Sequence, residues 1–203
     1  MNNYEDTWAK LDLRNCSETD LIRNIKELLS ENVDVNVRDR SGHTFLMQVV
    51  CLNNKQATEF LINHGADVNL KSNNGQTAIM FAAYFGYSEM MKFLIDHGAD
   101  VNAQTQMGWT ALMEAAQSGQ VEAVKILIER GADVNISDKD GHTVSRYKSN
   151  KDIKKLIKNA NEIREAYLNV ATQKKAPQKN VKKVSKHYPK LIDLGKMLAK
   201  EFL

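Results

Sequence analysis

Apolar residues along this chain return in short bursts that come in pairs, separated by polar turns that contain glycine. In TAIMFAAYFG and TALMEAAQSG, Ile79, Ala82 and Ala83, and Leu112, Ala115 and Ala116, fall at i, i+3, i+4 spacing. That spacing predicts one short helix per segment with a single buried face. A second burst follows each time: Phe60, Leu61 and Ile62, then Phe93, Leu94 and Ile95, then Ile126, Leu127 and Ile128. Thr77 and Thr110 stand where an N-cap belongs, and Asn53, Gly86 and Gly119 where a left-handed C-cap belongs. Gly65, Gly98 and Gly131 close the second helices, and turns such as KSNNGQ and TQMGW join one pair to the next.

The pairs keep a strict period. GADVN recurs at 65–69, 98–102 and 131–135, with NVDVN at 32–36, a repeat of 33 residues. Gly42, Gly75, Gly108 and Gly141 keep the same period, and two residues after each stand Thr44, Thr77, Thr110 and Thr143. A single helix pair exposes apolar surface that only a neighbouring pair covers, so these units predict a stack.

The glycine turn, the Ala-Ala pair and the closing Gly-Ala-Asp-Val-Asn resemble the ankyrin repeat. The resemblance implies an all-α solenoid of helix-turn-helix units with β-turn tips. Full repeats are expected at 37–69, 70–102 and 103–135, preceded by capping helices or a half-repeat at 1–36, whose second helix runs roughly over 19–31. A degenerate repeat or cap at 136–160 and a basic helical extension at 161–203 follow. The family's Thr-Pro-Leu-His reads here as TFLM, TAIM, TALM and TVSR. Met47, Met80 and Met113 therefore occupy the histidine position, and packing has to replace the Thr-to-His hydrogen bonding of the family. In the last unit Ser145 stands where Leu46, Ile79 and Leu112 stood.

Beyond it, Ile153, Leu156, Ala160, Ile163, Tyr167 and Val170 follow a and d heptad spacing, which predicts one long helix capping the last repeat or, less well supported by its length, a coiled coil. After a break around Pro177, Leu191, Leu194, Leu198 and Phe202 form an amphipathic stripe.

Charge divides the chain. Residues 1–147 hold 13 Lys+Arg against 20 Asp+Glu, and residues 148–203 hold 15 against 5, so the body stands at −7 and the tail at +10. Lys174, Lys175, Lys179, Lys182, Lys183, Lys186 and Lys190 crowd one segment. That segment is an alternative anion-binding site, for nucleic acid or an anionic membrane, or a clamp on the acidic body. Cys16 and Cys51 have neither disulfide nor zinc spacing. The five histidines mostly repeat with the units rather than converge, and no phosphate loop or nucleophile motif appears. The reading is therefore non-catalytic, without cofactor or metal, and monomeric. With no signal-like start and no long apolar run, the expected address is the cytoplasm. Lysines outnumber arginines 21 to 7. That bias suits an AT-rich, bacterial-type genome, in which a secreted effector acting in a host cell is one setting.

In the family the resemblance points to, a protein partner lies along the concave side, on turn tips and first helices. The corresponding residues are Arg38, Arg40, Ser41, His43, Cys51 and Leu52; Lys71, Asn73, Asn74, Gln76, Tyr84 and Phe85; Gln104, Gln106, Met107, Trp109, Gln117 and Ser118. Interface centres favour aromatic residues and Met, which singles out Tyr84, Phe85, Met107 and Trp109 as a hot spot. The alternative is that Trp109 and Phe85 stack across a repeat joint. Arg38, Arg40 and Lys71 would suit an acidic rim on the partner, with Asn73, Gln76, Gln104 and Gln117 around them. Asn69, Asn102 and Asn135 resemble the acceptors of ankyrin-directed asparaginyl hydroxylases, and their plainer reading is a hydrogen bond to turn backbone.

Overall fold

Each predicted helix pair is present in the computed structural model, which describes Trp8 and residues 17–147 and 150–173. Helix α1 (Glu18–Ser30) starts at Ser17, whose hydroxyl accepts from the Asp20 amide at 3.2 Å. It buries Leu21, Ile25 and Leu28, residues spaced to lie on one side of the helix. Three pairs follow: α2 (Phe45–Cys51) with α3 (Lys55–Asn63), α4 (Ala78–Phe85) with α5 (Ser88–Asp96), and α6 (Ala111–Gln117) with α7 (Val121–Glu129). A single turn, α8 (Val144–Tyr147), and the long α9 (Lys151–Gln173) complete the described chain.

The helices lie in two layers. First helices pack on first helices, α2 on α4, α4 on α6 and α6 on α8, while α1 on α3, α5 on α7 and α7 on α9 form the second layer. Small residues make the close approach possible. Ala82, Ala83, Ala115 and Ala116 are completely buried, and Leu61, Leu94 and Leu127, one period apart, each lose all exposure between the layers. Burying each leucine stabilises the stack by about 1.5–3 kcal/mol.

Two ladders run along the stack. In the first, the turn tips hydrogen-bond one another through their backbones: Asn73 N to Ser41 O and Gln106 N to Asn74 O, both at 2.9 Å, and Lys139 N to Met107 O at 3.0 Å. That approach needs glycine at Gly75 (φ +82°) and Gly108 (φ +80°), because a Cβ there would come within 2.7 Å of Gln106 N or 2.8 Å of Asp138 Cα. The second ladder is made by the asparagines that end each unit. Asn69 donates through Nδ2 to Gly98 O at 2.9 Å and accepts through Oδ1 from Asp100 N at 2.8 Å. Asn36 and Asn102 do the same for Gly65 and Asp67, and for Gly131 and Asp133. Asn69 and Asn102 therefore do bond turn backbone, and the turn belongs to the next unit, whereas the Asn135 side chain donates to the Asp133 carboxylate at 3.2 Å.

The left-handed C-caps stand where the sequence places them, with φ of 53°, 74° and 74° at Asn53, Gly86 and Gly119. Met47, Met80 and Met113 are buried, so packing fills the histidine position. Thr44 and Thr110 accept from the amides of Met47 and Met113 at 3.3 Å. Thr77 occupies the same N-cap position, but its buried hydroxyl has no partner.

Both ends are closed in the second-helix layer, by α1 and by α9. The first turns of α9 bury Ile153, Leu156, Ile157 and Ala160, and Arg164 reaches Asp133 at 4.0 Å, so this part of the helix is a cap on α7. The 160/161 boundary falls within this helix, which runs on to Gln173. At the other end the Trp8 ring stands edge-on to Phe45 at 4.6 Å. Among the described residues no helix is long and apolar enough to cross a membrane.

Candidate interaction face

Each first helix leaves one stripe uncovered. Burial of Phe45, Leu46, Met47, Val49 and Val50 leaves Gln48, Cys51 and the capping Leu52 facing outward, and the same pattern leaves Phe81, Tyr84 and Phe85 on α4 and Glu114, Gln117 and Ser118 on α6. These positions are related by i, i+3, i+4, so each stripe is one face of its helix. Leu52, Tyr84, Phe85 and Met107 are the exposed large apolar side chains among the described residues, at 43–56% of full exposure. Three of them lie at the ends of α2 and α4, and Met107 lies on a turn tip.

Aromatic contacts organise the face. Phe85 stacks on Tyr87 at 5.3 Å and meets Tyr84 edge-on at 5.1 Å, so Tyr84 and Phe85 are held as a pair. The Tyr87 hydroxyl reaches Cys51 O at 3.5 Å and ties this pair to the preceding helix end. Trp109 is partly buried and packs on Tyr147 of the next unit at 4.6 Å. Trp109 thus bridges a repeat joint, whereas Phe85 stacks within its own unit. The four residues that the sequence groups as a hot spot separate along the first helix: Tyr84 and Phe85 at its C-terminal end, Met107 and Trp109 before its N-terminal end.

The polar members of the predicted site fall into two groups. Lys71 Nζ donates to Gln104 O at 3.0 Å, Asn73 Nδ2 to Arg40 O at 2.9 Å, and Gln104 Nε2 to Gly108 O and Ser137 O at 3.0 and 3.2 Å. These side chains fasten neighbouring turns. Arg38, Arg40 and Gln117 are exposed, and Gln76 is half-buried. The face also includes Phe81 and Glu114, which are outside the positions named from sequence, and Leu52, which is among those positions but not in the hot spot. The signal for them was the period itself, since 48, 81 and 114 share one position and 52, 85 and 118 another.

Titratable groups follow their surroundings. Burial pushes the Cys51 thiol up to about 11, which keeps it protonated and unreactive at neutral pH. Burial also raises the pKa of Glu114. Asp138 lies with Asp140 and His142 in the one grouping of potential metal ligands among the described residues. Its carboxylate already accepts from the Tyr147 hydroxyl and from the amides of Asp140 and His142. That bonding lowers the Asp138 pKa and pushes Tyr147 up to about 12, and it makes the cluster a fastener of the turn. Lys174, Lys175, Lys179, Lys182, Lys183, Lys186 and Lys190 lie outside the described residues.

A search of curated proteins found no match. The family model described as ankyrin repeats (3 copies) matches residues 14–105 and 72–138, which together cover more than half of the chain. With the two-layered stack of helix pairs, the turn ladder and the 33-residue period, that match establishes that the chain belongs to the ankyrin-repeat family.

Proposed function

We propose that this protein is a non-catalytic binding module that holds a protein partner on the face formed by its first helices and turn tips. Ankyrin repeats are in general protein-interaction modules, and the observation that carries the reading here is the distribution of exposed apolar area. Leu52, Tyr84, Phe85 and Met107 all lie on this one side, and the second-helix layer has no counterpart among the described residues. Tyrosine and phenylalanine held as a rigid pair suit an interface centre, because little side-chain freedom is lost when they are covered. Arg38 and Arg40, on the tips of the first full repeat, form a basic flank beside it.

The test is capture of partners from cytosol on the wild-type chain and on a Leu52→Ala/Tyr84→Ala/Phe85→Ala variant whose fold is verified by circular dichroism. A Lys92→Ala/Lys125→Ala variant, altered in the second-helix layer, serves as control. Loss of a protein partner by the triple variant alone is the expected outcome. Equal capture by all three chains would remove the site from this face. If the captured material is polyanionic and elutes with salt, binding moves to the lysine-rich segment 174–190.

A further inference from the structure

Position 114 differs from the other polar members of its series, at 48 and 147, which bond the turn of their own unit. Nine residues before 48, 81, 114 and 147 stand the turn residues Asp39, Ser72, Thr105 and Asp138. In the first full unit Gln48 Nε2 donates to Asp39 Oδ2 at 3.4 Å, and in the last the Tyr147 hydroxyl donates to Asp138. Phe81 has no polar atom to satisfy, and the His43 ring stands edge-on to it at 5.6 Å. Glu114 is the polar member left over. Thr105 Oγ1 accepts from the Trp109 amide at 3.0 Å, and among the described residues no hydrogen bond or ion pair holds the Glu114 carboxylate.

A half-buried carboxylate without a partner is unfavourable, since it has lost part of its water and gained nothing in exchange. Its surroundings fit a cation. Glu114 shares its stripe with Gln117 and Ser118, and α6 packs against α4, whose outward stripe is Phe81, Tyr84 and Phe85. Trp109 and Tyr147 lie in the turn before α6 and in α8. A carboxylate on a face that also carries aromatic side chains favours a guanidinium or ammonium group, which a neutral amide or an acid would not match. Residues 1–147, with 13 basic against 20 acidic side chains, also draw in a basic segment.

We infer that Glu114 is the anchor for a basic side chain of the protein partner, an arginine or lysine whose apolar neighbour in the partner's sequence sits on Tyr84 and Phe85. This rests on the proposed first-helix interface and names the chemistry that it selects. The experiment uses a displayed library of random twelve-residue peptides, selected on the immobilised full chain. Selected peptides are then measured on wild type, Glu114→Gln, Glu114→Arg and Tyr84→Ala/Phe85→Ala, with circular dichroism and thermal midpoints confirming the fold.

The expected result is a selected Arg or Lys at a fixed distance from an apolar residue. Binding weakens roughly tenfold or more in Glu114→Gln, and a peptide with that Arg or Lys changed to Glu binds Glu114→Arg better than wild type. Peptides lost in the Tyr84/Phe85 variant but unchanged in Glu114→Gln would overturn the assignment to Glu114 and leave the interface standing. Peptides unaffected by either, or no selected peptide at all, would count against both. If the full chain selects peptides only after Lys182, Lys183 and Lys186 are changed to Ala, the occupant is the chain's own basic segment, and the assignment to a partner is overturned.

Discussion

Interior units and the last unit carry the same motifs in different company. Gly108 and Gly141 have nearly the same backbone, φ +80° and +79°, yet a Cβ on Gly108 would meet Asp138 Cα at 2.8 Å, and one on Gly141 would meet nothing within 4 Å among the described residues. Asn102 bonds Gly131 and Asp133 of the following unit, whereas Asn135, which ends the last full repeat before the degenerate one, among the described residues bonds only Asp133 of its own unit. A repeated residue therefore serves two demands. One is local, the turn or cap that every unit needs, and the other is the contact to a regular successor, which is lost toward the degenerate end of the stack. The repeats act as internal controls for each other, and seven substitutions, arranged as four comparisons, test the distinction.

The largest contrast is expected at glycine. Gly108→Ala combines left-handed strain of about 1–2 kcal/mol with a backbone clash of similar cost, so a loss of roughly 3 kcal/mol is expected in urea unfolding. Gly141→Ala carries the strain alone. Equal losses would show that the turn ladder does not constrain the interior glycine.

Next is the asparagine ladder. Asn102→Ala leaves a carbonyl and an amide of the following turn unpaired and is expected to cost about 1–2 kcal/mol, while Asn135→Ala stays within about 0.5 kcal/mol. Unfolding titrations of the two variants decide it, and an Asn135 loss as large as that of Asn102 would contradict the reading.

Within the interior units the N-caps differ. Thr110→Val removes a hydroxyl that accepts a hydrogen bond and should destabilise by about 1 kcal/mol, whereas Thr77→Val removes an unpartnered buried hydroxyl and should leave the thermal midpoint unchanged or higher.

The smallest effect concerns Glu114. Its pKa is raised in the folded chain, so the protonated form favours folding: that contribution is complete below about pH 4.5, the ordinary glutamate value, and is lost as pH rises through the folded value. Glu114→Gln should therefore be more stable than wild type at pH 7, by no more than about 0.5 kcal/mol, with the difference disappearing near pH 4. A variant that is less stable at pH 7 would mean that the carboxylate has a partner within the fold.

The period, the helix pairs, the left-handed caps at Asn53, Gly86 and Gly119, and the capping role of the residues around Ile153 were legible because they depend on a few residues close together. A left-handed φ selects Gly or Asn wherever it occurs, and a single buried helix face imposes its own spacing. The candidate face was legible only in part. Sequence marked Tyr84, Phe85, Met107 and Trp109 as one group by residue type, and no local rule says that a first helix sets Tyr84 at one end and Met107 before the other. Nor does spacing tell that Lys71, Asn73 and Gln104 reach the backbone of neighbouring turns.

What the sequence determined by itself is the unit: turn, helix, helix, repeated every 33 residues and ended by a degenerate copy. The tertiary structure decided which side chains each neighbour satisfies. Asn69 and Asn102 find partners in the following turn, Trp109 is covered by Tyr147, and Glu114 is left half-buried and, among the described residues, without a hydrogen bond or ion pair. The physical reason is that local propensities act within a few residues, while hydrogen bonding and desolvation depend on groups brought close from about one repeat away.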